Sequence, residues 1–446
     1  MKSAFRSALS KIIRLFRLKK IAIKTQNRLR IIQRGFDVKI ANKSYDHLLR
    51  CIQTECPPVQ LKVYFIVTQK QLWNSTVLYQ IFKNSKQFDP AIIVFPNTED
   101  NASSPSQTLS DNKLFFLSNG FNVITGVDAE QNPIKISSLI QKPAIVFIDQ
   151  PHFNIGLGWG LINIARRAMI CYIPYGFKIA NNNIGHFGQE IHDLSWKVFV
   201  ETEWHKSMFV KIGGVKGRNT VVTGYPKFDL YLSTEMLGVS ENTQSLLTKA
   251  AGRKIVIWAP HWSIHDGLLN YSTFDKYFQD FKKLAETLDN VFFVFKPHQR
   301  LKYYVQEVGL MSKVKVEKYF NFWEKSKNSI IFNDPDYIHL FKESSALITD
   351  SGSFLAEYLP SKNPILLLKS NDSQGYNEIG NLLIQNYYQA ENFKTVESFI
   401  KDVVVNSVDQ MKLQRLEVLD QIWESKNQNS SERIYSHIVK SINQKI

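Results

Sequence analysis

A chain of 446 residues with 44% hydrophobic and 13% aromatic content can bury a substantial core over two or three domains, which excludes a chain disordered throughout. Its three cysteines, Cys51, Cys56 and Cys171, are odd in number and poorly spaced, so neither a disulfide framework nor a four-ligand zinc site is supported. No run reaches the length of a membrane span and the N-terminus lacks the apolar core of a signal peptide, so a reducing cytosol is the expected compartment.

The net charge of +15 is uneven, because from Lys2 to Arg34 every charged side chain is basic and the first acidic residue is Asp37. Phe5, Leu9, Ile12, Ile13 and Phe16 recur at helical spacing with Arg6, Lys11, Arg14 and Arg17 between them. This pattern predicts a basic amphipathic helix in an N-terminal arm, residues 1–56. Such a helix can lie in an anionic bilayer surface, pack on the protein itself, or serve as a nucleic-acid arm. The apolar face is larger than nucleic-acid binding needs, so the expected partner is an anionic membrane and no nucleic acid.

After the Pro57-Pro58 break the chain alternates strand and helix. Leu61 to Val67, Ala91 to Phe95, Ala144 to Ile148, Ala168 to Ile173, Lys197 to Val200 and Asn219 to Thr223 read as strands of a first Rossmann-like domain, residues 57–235. Asn97 to Asp111, rich in Asn, Ser, Asp and Pro, reads as a surface loop. The pattern restarts after Leu230. Lys254 to Ala259, Val291 to Lys296, Ser329 to Phe332, Ala346 to Thr349 and Pro364 to Leu368 predict a second such domain, residues 236–446. The polar, helical stretch from Val396 onward is expected to pack across the domains or to leave the sheet. The predicted fold class is therefore α/β, with two doubly wound domains facing a central cleft behind a basic N-terminal helix.

Within the second domain, Ser344 to Lys369 reads as strand, turn, helix, strand. Asp350-Ser351-Gly352-Ser353 supplies the turn and Phe354 starts the helix. Backbone N–H groups at a helix N-terminus, beside the Ser351 and Ser353 hydroxyls, suit phosphate oxygens. Glu357, one turn on, can accept hydrogen bonds from ribose hydroxyls; an ordinary N-cap with a solvated glutamate fits equally well.

Other candidates also fall at strand ends. Lys296-Pro297-His298-Gln299-Arg300 groups two permanent cations with an imidazole; a protonated His298 would neutralise a phosphate leaving group, with Lys296 and Arg300 supplying further contacts. Pro260-His261-Trp262-Ser263-Ile264-His265-Asp266-Gly267 places two histidines four apart, but Pro260 and Gly267 make the segment a loop without a third ligand. Contact with donor phosphates or acceptor is the expected use, and no metal site is predicted. Asp149 to Gly160 carries His152 and three alternate glycines that do not match the dinucleotide fingerprint. In Tyr172 to Lys178, Gly176 permits close backbone approach to a ligand.

Four blocks together give the chain a resemblance to the CDP-glycerol glycerophosphotransferases, the teichoic-acid and capsule polymerases with a GT-B fold. They are Gly224-Tyr225-Pro226-Lys227-Phe228-Asp229, Ile257-Trp258-Ala259-Pro260-His261-Trp262, Phe295-Lys296-Pro297-His298, and Ile348-Thr349-Asp350-Ser351-Gly352-Ser353 followed by Glu357 and Pro364-Ile365. The resemblance implies that His298 assists at the donor pyrophosphate, that Thr349 through Ser353 hold the donor, and that Glu357 meets the ribose. It also implies a histidine base in a Trp-His-Gly block, which here reads Pro174-Tyr175-Gly176. Tyr175 has a far higher ordinary pKa, so His152 or His261 is an alternative base. The family arginine after Pro-Thr-Trp is replaced by Ser263.

The resulting expectation is a peripheral enzyme on the cytoplasmic side of the cell membrane. It would move a polyol-phosphate group from a CDP-activated donor to a lipid-linked or growing surface polysaccharide, releasing CMP. No cofactor is required by this reading, and a phosphate-bridging magnesium stays open. The Asp-Ser-Gly block is also similar to that of UDP-N-acetylglucosamine 2-epimerases, so a nucleotide-sugar glycosyltransferase is the alternative, and a non-catalytic membrane-attached scaffold is a third.

Overall fold

The computed structural model describes residues 28–55, 59–98, 104–156, 158–232, 240–423 and 429–444. The predicted amphipathic stretch from Phe5 to Phe16 lies outside them. A helix over 28–50 buries Ala41, Tyr45 and Leu48 against the first domain. The Tyr45 hydroxyl donates to the Leu194 carbonyl at 2.6 Å, and Arg34 pairs with Asp193 at 2.6 Å.

The first sheet contains β1 (Leu61–Val67), β2 (Phe88–Val94), β3 (Val123–Thr125), β4 (Ala144–Ile148), β5 (Ala168–Tyr172), β6 (Lys197–Val200) and β7 (Thr220–Val222). Its order is β3-β2-β1-β4-β5-β6-β7, and every pairing is parallel. The second contains β8 (Lys254–Ala259), β9 (Val291–Phe295), β10 (Ser329–Ile331), β11 (Ala346–Thr349), β12 (Ile365–Leu368) and β13 (Tyr388–Ala390), in the order β10-β9-β8-β11-β12-β13 and again all parallel. Helices cover both faces of such sheets, so central strands such as β4 and β9 are apolar and buried throughout. Both sheets reverse strand order once, between β1 and β4 and between β8 and β11. That crevice, at the strands' carboxyl ends, is where open α/β sheets bind ligands.

The structure differs from the sequence reading at four places. The edge strands β3 and β13 are three residues long and only partly buried, so they lack the apolar run that marks a central strand. β2 begins at Phe88, before Pro90. Pro90 pairs with Val63 of β1, and β3 joins β2 only from Ile92, so the missing N–H faces an unpaired side. The expected loop from Asn97 to Asp111 is corrected in its second half: Pro105–Ser118 is a helix, with the Ser104 hydroxyl accepting from Gln107 N–H and Pro105 in the first turn. The helix expected from Phe354 begins at Gly352.

The terminal helix Ser430–Asn443 returns to the first domain, where Ile434, Ile438 and Ile442 join its core. Asp229 fixes its start by accepting the N–H groups of Ser430 and Ser431, each at 2.8 Å, and the Ser431 hydroxyl at 2.6 Å. A second tie is a bridge between Ala180 and Tyr376, reinforced by Asn377 Nδ2 donating to the Lys178 carbonyl at 2.8 Å.

Candidate active site

A cavity of about 360 Å³ lies between the two sheets, with Tyr175 and Gly176 on one wall and Pro260, Lys296, His298 and Ser351 on the other. Because β9, β8 and β11 are neighbours, the three segments that follow them meet at one place. Their sequence separation hides this.

The turn after β11 is stitched to β8. The Thr349 hydroxyl donates to the Ala259 carbonyl at 2.6 Å and accepts the Ser351 N–H at 2.9 Å. Asp350 is buried, with one oxygen accepting His261 N–H at 2.6 Å and the other accepting the Thr273 N–H and hydroxyl at 2.6 and 2.8 Å. Burial raises this carboxyl to about 7, against the pull of those donors. Thr349 and Asp350, both expected to hold donor, therefore position the turn and are not among the cavity's lining residues. Ser351 and Ser353 do line it, and the Ser351 side chain makes no capping hydrogen bond to the helix Gly352–Glu357, which leaves polar groups at this end for a ligand.

Glu357 also lines the cavity but is far from a solvated glutamate. Its oxygens accept the Tyr225 hydroxyl at 3.0 Å and the Tyr337 hydroxyl, and Lys227 Nζ lies 3.8 Å away. Lys227 also donates to the Tyr337 hydroxyl at 2.7 Å. Lys227, Tyr225 and Tyr337 are site residues that the sequence reading missed. The first two sit in the Gly224–Asp229 block, which was their only signal, and Tyr337 carried none.

Lys296 reaches the same cluster. Its ammonium donates to the Asp334 carbonyl at 3.1 Å and lies over the Tyr337 and Phe332 rings at 4.8 and 5.0 Å. Burial lowers it to about 7, with nearby Lys227 opposing the charge and Asp334 supporting it. Arg300 is stacked on Trp262 with 4.2 Å to the ring centroid and is not among the lining residues.

His298 lines the cavity, in surroundings that act against the protonated ring with which a leaving phosphate would be neutralised. Desolvation, followed by the positive character of His261, Arg300 and Lys296, holds it well below the usual histidine range. Its Nδ1 accepts the Arg300 N–H at 3.2 Å, so the neutral ring carries its proton on Nε2, as a hydrogen-bond donor. His261 is arranged alike: Nδ1 accepts the Ser263 N–H at 3.2 Å, and burial lowers the ring to about 4. Neither ring is suited to accept a proton at neutral pH.

The remaining base candidates fare no better. Tyr175 is 42% exposed, and desolvation in the narrow cleft, then the carboxylates of Asp149 and Glu357, raise its phenol further. His152 is exposed on the loop after β4 and does not line the cavity. Asp149, at the end of β4, is raised by burial to about 7 with Lys227 pulling against it, and it too is not among the residues lining this cavity. Among the described residues, no group of three or more His, Cys, Asp and Glu side chains could hold a metal ion. His265 instead faces Asp275 at 3.1 Å.

A family model described as CDP-glycerol:poly(glycerophosphate) glycerophosphotransferase matches residues 179–440. No curated protein gives a significant match. Among solved structures, the wall teichoic acid polymerase TagF is similar at 13% identity and TM-score 0.53, over 93% of this chain and 97% of that one. MnaA from S. aureus in complex with UDP aligns at 16% identity and TM-score 0.56, over 86% and 97%. The UDP-GlcNAc 2-epimerase of Neisseria meningitidis bound to UDP-GlcNAc aligns at 13% and 0.51, over 85% and 100%. Identities this low speak for the fold, which is GT-B with two Rossmann-like domains.

Proposed function

The chain belongs to the CDP-glycerol:poly(glycerophosphate) glycerophosphotransferase family, and from that membership we propose that it transfers a glycerol-phosphate-like unit from a CDP-activated polyol to a hydroxyl of a surface polysaccharide. The observation that carries this reading is the convergence of Lys227, Lys296, His298, Ser351, Ser353 and Glu357 on one interdomain cavity. The acceptor oxygen forms a bond to the β-phosphorus as the bond from that phosphorus to the bridging oxygen breaks, and CMP leaves with those electrons. The Nε2 proton of His298, the hydroxyls of Ser351 and Ser353 and the ammonium of Lys296 meet the phosphate oxygens, while Glu357 receives the ribose. Donor binding draws a proton onto Lys296, since a phosphate nearby favours its charged form. The acceptor hydroxyl releases its proton to solvent as the new bond forms.

The test is nucleotide release by the purified full-length protein offered CDP-glycerol, CDP-ribitol and UDP-sugars with a lipid-linked acceptor extract. CMP release from a CDP-polyol is expected. UDP release would turn the reading to glycosyl transfer, and no turnover with unimpaired CDP binding would leave a scaffold.

The same reading places the enzyme peripherally on the cytoplasmic face of the membrane, at a lipid-linked teichoic-acid or capsule acceptor. No described helix is long and apolar enough to cross a membrane. On the helix over 28–50, Leu29, Ile32, Phe36 and Ile40 are exposed and follow one another at helical spacing, with Arg28, Arg30 and Lys39 nearby in sequence. An apolar stripe flanked by cations supports docking on anionic lipid. Deleting the residues before Asp37 should abolish co-sedimentation with anionic liposomes, and unchanged binding would reject this placement.

A further inference from the structure

A second cavity, of about 500 Å³, opens beside the first and shares with it the wall formed by Ile331, Asn333, Asp334 and Pro335. The first domain contributes the exposed face of the helix Pro105–Ser118, with Asp111, Leu114 and Phe115, together with Lys70; the second contributes Asn242 and Ser245 from the helix Glu241–Ala250. Asp334 joins the two cavities. Its carbonyl accepts from Lys296 at 3.1 Å on the donor side, and its carboxylate accepts from Asn242 Nδ2 at 3.0 Å on the other.

The chemistry of this second cavity differs from what a polyanion needs. Among the described residues that line it, Lys70 is the one cation, set against the carboxylates of Asp111 and Asp334, and its ammonium lies 5.9 Å from the centroid of the Phe115 ring. A chain of phosphates there would meet more negative than positive charge. Carboxylate, amide and hydroxyl groups around an aromatic ring instead match a sugar, whose hydroxyls donate and accept while its C–H face rests on the ring.

Resting on the phosphotransferase reading, we propose that this cavity seats a neutral sugar residue of the acceptor, so that the hydroxyl to be modified belongs to a glycan threaded from here past Asn333 to Pro335 into the donor site. Asp111, Asn242 and Ser245 read its hydroxyls, and Phe115 stacks on it. The acceptor is then recognised as a saccharide and not only as a poly(glycerol phosphate) chain.

The experiment is ligand-observed NMR and calorimetry on the full-length protein. The probes are neutral disaccharides (cellobiose, maltose and N,N′-diacetylchitobiose), a poly(glycerol phosphate) hexamer, and CDP. At least one disaccharide should bind. Its dissociation constant should rise at least tenfold in Ser245→Trp, which fills the groove from an exposed helix position, and in Asp111→Ala, while CDP affinity stays within twofold. Saturating CDP should not displace the sugar. Absence of disaccharide binding, binding indifferent to both variants, or a hexamer whose binding alone is lost in Ser245→Trp would each overturn the proposal. Failure of CDP to bind would reject the donor reading separately, because the sugar measurement requires no donor.

Discussion

Replacing Lys296 by methionine should stabilise the fold and disable donor binding. The side chain is 7% exposed, and burial brings its ammonium from an ordinary 10.5 down to about 7. At ~1.36 kcal/mol for each pH unit, that drop of about 3.5 corresponds to ~5 kcal/mol lost from the folded state below about pH 7, where both folded and unfolded chains hold the proton. Methionine fills similar space without charge, but it gives up one hydrogen bond and two cation–π contacts, each worth ~1 kcal/mol. The net gain is then ~2 kcal/mol. Its sign with pH follows from proton counting: between about 7 and 10.5 the folded state binds fewer protons at this site than the unfolded state, so wild-type stability rises with pH across that window. The advantage of Lys296→Met should therefore be largest below pH 7 and fade toward pH 10.5. Urea denaturation of both proteins at about pH 6, 7.5 and 9, with CDP calorimetry alongside, checks both parts. A variant less stable than wild type at pH 6, with a difference that does not move with pH, would refute the argument.

Two substitutions separate the roles of residues on the cavity wall. His298→Ala should reduce CMP release by ~10²–10³-fold, the usual consequence of losing a positioned donor to a developing phosphate charge, with an unchanged urea midpoint; near-normal turnover would remove His298 from the mechanism. Tyr175→Phe should keep turnover within about threefold, because a phenol raised above its ordinary value cannot serve as the base at neutral pH. A loss above a hundredfold in steady-state CMP release would return Tyr175 to that role.

The sheets were legible because a parallel sheet covered by helices needs apolar runs, and β4, β8 and β11 are such runs bounded by turn residues. The helix Pro105–Ser118 was hidden by polar composition, although Ser104-Pro105 is a recognisable start signal. In the site, Lys296, His298, Ser351, Ser353 and Glu357 could be found because each follows a strand. The environment of Glu357 could not. Its tyrosine partners stand 132 and 20 residues away in the chain, and only the closing of the two domains brings Tyr225 and Lys227 onto it. The same limit applies to protonation: the sequence sets a titratable His298 beside Lys296 and Arg300, and only the fold supplies the burial that, ahead of those neighbours, lowers its proton affinity.

Ser263 shows why a missing arginine in this family's pattern need not be a missing function. It is fully buried; its N–H donates to His261 Nδ1, its hydroxyl lies 2.8 Å from the same atom, and that hydroxyl accepts the Tyr271 N–H at 3.0 Å. It therefore orients His261, whose ring lies 5.2 Å from that of His298. Restoring the family residue with Ser263→Arg should fail here. It removes the serine hydroxyl's bonds, worth ~1 kcal/mol each, and buries a guanidinium without a partner at a cost of several kcal/mol. The expected result is a urea midpoint well below wild type, or insoluble protein, whereas Ser263→Ala should lose only ~1–3 kcal/mol. A soluble Ser263→Arg protein with a wild-type midpoint and tighter CDP binding would show instead that the loop after β8 can open to deliver a cation to the donor, and that the serine is a substitution rather than a fixed support.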